Sequence, residues 1–167
     1  MKLSRPERLT KDHVREGFAS GAPELDEWLS RYSWQNQRAN NATTFVSCNE
    51  SRVLGYYALT VASVARGEAP EPLAKGAPAQ IGCLLLARLA VDEEAQGRGL
   101  GRGLLSDCLR RASSIAGEAG MKALLVHCRD ETARDFYMSQ CDFLPSPAAD
   151  LQLLLPMKWV TAHFGDT

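Results

Sequence analysis

Nowhere in the 167 residues do apolar side chains run together for the roughly eighteen positions that a membrane helix needs. The amino terminus, Met1-Lys2-Leu3-Ser4-Arg5-Pro6, also lacks the apolar stretch of a signal peptide. A soluble, cytoplasmic protein that makes no use of a membrane is the expectation. Paired cysteines are missing too. Cys48, Cys83, Cys108, Cys128 and Cys141 are odd in number, widely spaced and without a C-x-x-C pair. That pattern argues against a disulfide framework and against a zinc site, and no metal is expected. Nor does charge of one sign dominate. With a formal net charge of -1, no overall field draws this chain to nucleic acid, so any such contact needs a local patch. Candidates for a patch are Arg5, Arg8, Arg31, Arg38, Arg66, Lys75 and Arg88.

What is present is an ordinary globular composition, 45% apolar and 23% charged, long enough to bury a core as one domain over residues 1–167. Glu7 to Asp12 reads as a short first strand. Leu25, Trp28, Leu29 and Tyr32 fall at i, i+3, i+4 and i+7, which predicts a helix from Glu24 to near Ala39 with one buried face. Thr43 to Cys48 and Val53 to Val64 predict a hairpin across Asn49-Glu50-Ser51. Arg66 to Ala79, with three prolines and two glycines, predicts an internal loop. Leu84 to Val91 is almost wholly apolar and reads as a central strand covered on both faces.

Beyond a glycine-rich turn, Leu100, Leu104, Leu105, Cys108, Leu109, Ala112 and Ile115 share one helical stripe. Ala123 to Cys128 predicts a buried strand, Glu131 to Gln140 a short helix, and Asp150 to Val160 a final strand broken at Pro156. The order is a mixed α/β (α+β) pattern.

The turn itself is Gln96-Gly97-Arg98-Gly99-Leu100-Gly101-Arg102-Gly103. Alternate glycines let backbone amides face one concavity without side chains in the way. A helix starting there adds the partial positive charge of its free N–H groups, which suits a pyrophosphate. A P-loop needs Gly-Lys-Ser/Thr, which is absent, and the dinucleotide pattern G-x-G-x-x-G fails in both registers, at Arg102 and at Leu104. The pattern Q/R-x-x-G-x-G/A is met by Gln96, Gly99 and Gly101.

In that form the turn resembles that of the GCN5-related N-acetyltransferase (GNAT) family, which cradles the pyrophosphate of acetyl-CoA. Asp130-x-x-Ala133-x-x-Phe136-Tyr137 resembles the family's N-x-x-A-x-x-F-Y helix, with Asp130 in place of asparagine. The family's F-Y-x-x-x-G-F ending becomes Phe136-Tyr137-Met138-Ser139-Gln140-Cys141-Asp142-Phe143, one residue longer and without the glycine. The resemblance implies a single GNAT-fold domain, with a mixed central β-sheet flanked by helices and a splayed central strand pair. It further implies that acetyl-CoA is the co-substrate, bound by Gln96, Gly97, Arg98, Gly99, Leu100, Gly101 and Arg102, with Asp130, Ala133 and Phe136 contributing. The backbone of Leu89, Ala90 and Val91 would pair with the pantetheine arm and donate to the thioester oxygen. Tyr137 would be the general acid toward the departing thiolate. Histidine and carboxylates offer His127, Glu50, Asp92 and Glu93 as general bases, with none singled out and the acids read as solvated.

The first half of the chain narrows the branch. Phe18-Ala19-Ser20-Gly21, Leu25-Asp26-x-Trp28-Leu29 and Val53-Leu54-Gly55-Tyr56-Tyr57-Ala58-Leu59 look like the acetyltransferase toxins of bacterial toxin–antitoxin modules. That likeness implies acetylation of the α-amino group of aminoacyl-tRNA, which blocks translation. It also implies a homodimer and a ribbon-helix-helix antitoxin partner. A housekeeping acetyltransferase of small amines or protein amino termini is the rival reading.

Overall fold

Apolar alternation in the first half and continuous apolar runs in the second build one mixed sheet. The computed structural model describes residues 1–165. Its strands are β1 (Glu7–Arg8), β2 (Thr43–Asn49), β3 (Arg52–Ala65), β4 (Gln80–Val91), β5 (Ala123–His127), β6 (Leu144–Pro145) and β7 (Gln152–Pro156). They lie in the order β1-β2-β3-β4-β5-β7-β6. The helices are α1 (Pro23–Glu27), α2 (Ser33–Arg38), α3 (Glu71–Ala74), α4 (Leu100–Ala116), α5 (Glu131–Gln140) and α6 (Met157–Phe164). Among the described residues no helix is long and apolar enough to cross a membrane.

The chain divides into two compact units, residues 1–60 with 87–108, and residues 61–86 with the described residues from 109 onward. In the first unit, β1–β2 and β2–β3 are antiparallel, and the expected hairpin turns at Glu50 with φ 56°. Its core gathers Leu9, Phe18, Leu29, Val46, Val53, Tyr56 and Ala90. In the second unit, β5 pairs with β7 antiparallel, and Val64, Leu73, Ile81, Leu125 and Leu154 pack together. The parallel pairing of β4 with β5 runs only from Cys83 to Leu86, opposite Ala123 to Val126. From Ala87 to Val91, β4 carries on without a β5 partner, the splay that the family resemblance implies.

Four expectations need correction. The first strand stops at Arg8: Leu9 still donates to the Thr44 carbonyl of β2, but the chain then turns, with His13 N–H donating to the Thr10 carbonyl. The helix expected from Glu24 is interrupted by a π-helical turn, Trp28–Tyr32. A wider turn rotates the phase of the apolar stripe, so Leu29, Ser33 and Gln37 are buried while Tyr32 is 40% exposed. Arg15 donates to the Leu29 and Ser30 carbonyls and to Ser33 Oγ, and Ser33 donates to the Leu29 carbonyl at 2.6 Å. These bonds satisfy the polar groups of that wide turn. The region from Arg66 to Ala79 is not all loop: a 3₁₀ turn (Arg66–Glu68) and α3 lie within it. The final strand ends at Pro156, which opens α6 instead of breaking a strand.

All five cysteines are free, and four are buried. Burial pushes the thiols of Cys48, Cys83 and Cys128 up to about 11, so they stay protonated and unreactive at neutral pH. Thiol titration of the native protein at pH 8 is expected to find at most one fast group, at half-buried Cys141, and five after denaturation. Two or more fast thiols in the native protein contradict this packing.

Candidate active site

The glycine turn is fixed in place before its first glycine. At the end of β4, Asp92 is buried, and its N–H donates to the Leu54 carbonyl at 2.9 Å. Its carboxylate accepts from the Ala19 N–H at 3.0 Å and the Glu94 N–H at 2.9 Å, while Glu93 N–H donates to the Ala19 carbonyl. Asp92 is therefore not the solvated acid expected from sequence; it is a latch between the start of the turn and the Phe18–Gly21 segment. Gln96 works beside it, its amide donating to the carbonyls of Ser20 and Val91 at 3.1 and 2.9 Å.

Past this brace, Gly97 and Gly99 take φ of 79° and 80°, a region that side-chain-bearing residues rarely adopt. The chain then enters α4 at Leu100, with Gly103 N–H donating to the Gly99 carbonyl at 3.0 Å. The first-turn N–H groups of such a helix have no carbonyl inside it to bind, which is what an anion cradle requires. Arg98 and Arg102 stand exposed on the same turn. Main-chain donors, left-handed glycines and two cations fit a pyrophosphate.

What seats α4 on the sheet is a residue without a side chain. A β-carbon at Gly55 of β3 would lie 2.8 Å from Leu100 Cδ2, 3.2 Å from Leu100 Cγ and 3.1 Å from Leu104 Cδ1. Two turns along the helix, Tyr57 donates its hydroxyl to Asp107, and Phe45 stacks on the Tyr57 ring at 5.1 Å. Gly55, Tyr57 and Asp107 thus set the depth and rotation of the helix whose start forms the cradle. Sequence reading treated Gly55 and Tyr57 only as part of a branch motif; the alternation of Gly55 and Tyr57 on one face of β3 was the available signal.

The other first-half motif residues also have structural tasks. Asp26 accepts from the N–H and hydroxyl of Ser20, at 3.0 and 2.6 Å, which ties the Gly21 turn (φ 96°) to α1. Tyr56 donates to the Leu25 carbonyl at 2.7 Å, stacks on Trp28 and meets Phe18 edge-on. Burial drives the Tyr56 phenol well above its ordinary pKa, so it remains a proton donor. Arg88 of β4 lies over Trp28, its guanidinium carbon 4.2 Å from the ring centroid.

The second unit holds the remaining sequence-predicted residues. Asp130 is the N-cap of α5, its Oδ1 accepting from the Ala133 N–H at 2.8 Å. Asparagine performs the same task, so the departure from the family pattern at 130 leaves the cap intact, worth typically about 1 kcal/mol. Ala133 and Phe136 are half-buried, and Tyr137 is 6% exposed, with Phe136 and Phe143 both edge-on to its ring. The helix ends at Gln140, and Cys141 is extended, so the longer ending is absorbed there while Phe143 still reaches Tyr137.

Among the base candidates, His127, Glu50 and Glu93 are exposed. Of the patch candidates, Arg31 pairs with Glu27 at 3.8 Å and Arg66 donates to the Ala77 carbonyl, whereas Arg5, Arg8, Arg38 and Lys75 are exposed. A cavity of 470 Å³ in the second unit, lined by Leu73, Met121, Met157 and Trp159 among others, contains none of the predicted site residues.

Residues 40–143 match the family model described as an acetyltransferase (GNAT) domain. The chain is 40% identical, over 98% of both sequences, to a tRNA-acetylating toxin of Mycobacterium tuberculosis. The solved structure of AtaT complexed with acetyl-methionyl-tRNAfMet superposes with a TM-score of 0.89, at 27% identity over 98% of this chain and 99% of that one. A tyrosine-to-phenylalanine mutant of AtaT, bound to the C-terminus of the antitoxin AtaR and to acetyl-CoA, gives 0.83 at 25% identity over 99% and 100%.

The seat of α4 makes a direct prediction. Gly55→Ala forces Leu100 and Leu104 away and shifts the start of α4, an overpacking cost of roughly 1–3 kcal/mol. Calorimetric titration is expected to show coenzyme A binding weakened by about tenfold, with a lowered Tm. Unchanged affinity means that the contact does not set the cradle.

Proposed function

The chain belongs to the GNAT acetyltransferase family, and from that premise we propose that it moves the acetyl group of acetyl-CoA onto the α-amino group of aminoacyl-tRNA. The observation that carries this reading is the 40% identity to a tRNA-acetylating toxin along nearly the whole of both chains. It includes the first half, where Ser20, Asp26, Trp28 and Tyr56 lock together against β4.

Each step then has a residue to perform it. The turn from Gln96 to Arg102 holds the pyrophosphate with main-chain N–H groups, and Asp130, Ala133 and Phe136 of α5 are the further coenzyme contacts that the family resemblance implies. Leu89 to Val91, a stretch of β4 without a β5 partner, has main-chain groups to offer the pantetheine arm. Their N–H groups stabilise the negative charge that develops on the thioester oxygen as the amine attacks. Tyr137 gives its hydroxyl proton to the thiolate as the C–S bond breaks, and the proton that the attacking nitrogen sheds passes to water, from which the phenol is reprotonated. No base is required of the protein. An α-amino group has a pKa of roughly 7.7–8.0, so part of it is already neutral near pH 7, unlike a lysine amine near 10.4. Acetylation removes the nucleophile that peptide-bond formation needs, which makes the product inert in translation.

The same reading sets the context as one N-acetyltransferase domain over residues 1–167, working in the cytoplasm. It acts as a homodimer neutralised by a ribbon-helix-helix antitoxin. Incubation with labelled acetyl-CoA and a pool of charged tRNA is expected to place label in N-acetyl-aminoacyl-tRNA. Tyr137→Phe is expected to lower kcat by about a hundredfold or more while retaining coenzyme A binding. An absence of label in the tRNA fraction, with label appearing in a small amine or a protein amino terminus, would falsify the substrate assignment and leave the fold untouched.

A further inference from the structure

The described residues include five half-buried arginines, and four of them are satisfied. Arg15 bonds to carbonyls and Ser33, Arg52 to Glu94, Arg134 to the Asp150 carbonyl, and Arg111 has partners as well. Arg88 is the exception. Its guanidinium stacks on Trp28 at 4.2 Å and makes no hydrogen bond or ion pair among the described residues. Desolvation lowers its pKa from the ordinary arginine value, with only the Tyr56 phenol opposing that shift. Half-burying a guanidinium is unfavourable; the contact with the Trp28 ring offsets that cost, but no acceptor among the described residues takes its N–H donors. None of its nitrogens is fully buried, because Thr44 Oγ1 is the sole fully buried side-chain polar atom without a partner among the described residues.

The platform beneath it is rigid. Trp28 is stacked on Tyr56, whose hydroxyl is tied to the Leu25 carbonyl, and Leu25 and Trp28 are both packed on the first unit's core. The guanidinium held over the indole is planar, and its N–H donors form a fork matched to two oxygens of a phosphate. Chain order says which phosphate. The glycine turn follows Val91, so a pantetheine arm leaving the cradle runs back along β4 from Val91 toward Leu89. Arg88 is the next residue, roughly 10 Å from Val91 along the strand, on the side away from the pyrophosphate. An acceptor amine has to meet the thioester at the end of that arm, so the polynucleotide that carries it lies beyond Leu89, beside Arg88.

We propose that Arg88, held on Trp28, binds a backbone phosphate of the single-stranded acceptor end that carries the amino acid. The proposal rests on aminoacyl-tRNA being the acceptor and on the use of Leu89 to Val91 described above. It makes Arg88 a specificity residue that separates a polynucleotide-linked amino acid from a free or nucleoside-linked one.

The test compares charged tRNA with the matching 3′-aminoacyl-adenosine, which presents the same amine without a phosphodiester. Steady-state kinetics are measured for the full-length wild type, Arg88→Met and Arg88→Lys. Arg88→Met is expected to raise KM for charged tRNA at least tenfold and to reduce the preference for tRNA over aminoacyl-adenosine by the same factor. The slope of log KM for tRNA against log salt is expected to become shallower by about 0.7, the loss of one phosphate contact on a single strand. Arg88→Lys keeps the charge without the fork and recovers part of the preference; it also serves where Arg88→Met does not fold. Equal losses on both acceptors, or an unchanged preference and salt slope, overturn the proposal. A raised KM for acetyl-CoA alone assigns the contact to a coenzyme phosphate and overturns it as well. Wild-type enzyme that acetylates aminoacyl-adenosine but not charged tRNA removes the underlying substrate reading, an outcome distinct from failure of Arg88 alone.

Discussion

The space between Gly55 and the first turns of α4 is too narrow for a single carbon, and the placing of the glycine turn depends on that closeness. Leu100 and Leu104 lie where a β-carbon at 55 would point, so the helix rests against the main chain of β3. Tyr57 and Asp107 then fix its rotation, since a buried phenol bonded to a helix carboxylate tolerates little turning about the axis. Asp92 and Gln96 hold the other end of the turn, through main-chain groups of Ala19, Ser20, Leu54 and Val91. With both ends restrained, the left-handed conformations of Gly97 and Gly99 are imposed by their surroundings, and the amides are set before any ligand arrives.

A second constraint shapes the frame around Trp28 and Arg88. The Phe18–Gly21 segment supports the glycine turn through Ala19 and Ser20, and the same segment is tied to α1 through Asp26. Trp28, Tyr56 and Arg88 therefore stand on a frame shared with the cradle. The glycine turn and the Trp28–Arg88 platform are built on one set of hydrogen bonds in the first unit. This accounts for why the branch motif places Ser20, Asp26 and Trp28 at fixed spacing: each spacing is a bond or a stack.

Legibility from sequence varied with how local the cause is. The strand–turn–helix around Gln96 to Gly103 is legible because glycine alternation and the strand before it are contiguous. Asp130 was readable as a departure, and its meaning became plain from one N-cap bond to Ala133. The π-helical turn was not readable, because Leu25, Trp28, Leu29 and Tyr32 match an α-helix equally well. Arg15, thirteen residues before Trp28, is what satisfies the widened turn. The ending at Pro156 was misjudged for a related reason. Proline interrupts a strand and also suits the start of a helix, and Met157 and Val160 face the second unit's interior in α6.

By itself the sequence determined the family, since the motifs that carry the resemblance, Gln96-x-x-Gly99-x-Gly101 and Asp130-x-x-Ala133-x-x-Phe136-Tyr137, are short patterns among neighbouring residues. Only the tertiary structure decided what Asp92, Gly55 and Arg88 do. Asp92 looked like a solvated acid and is a buried latch; Gly55 looked like a branch marker and is a clearance; Arg88 looked like one surface charge among seven and is a half-buried fork on an indole. In all three cases the deciding partners, Ala19, Leu100 and Trp28, are far away in the chain. Burial and contact across such separations leave no periodicity for a sequence to show.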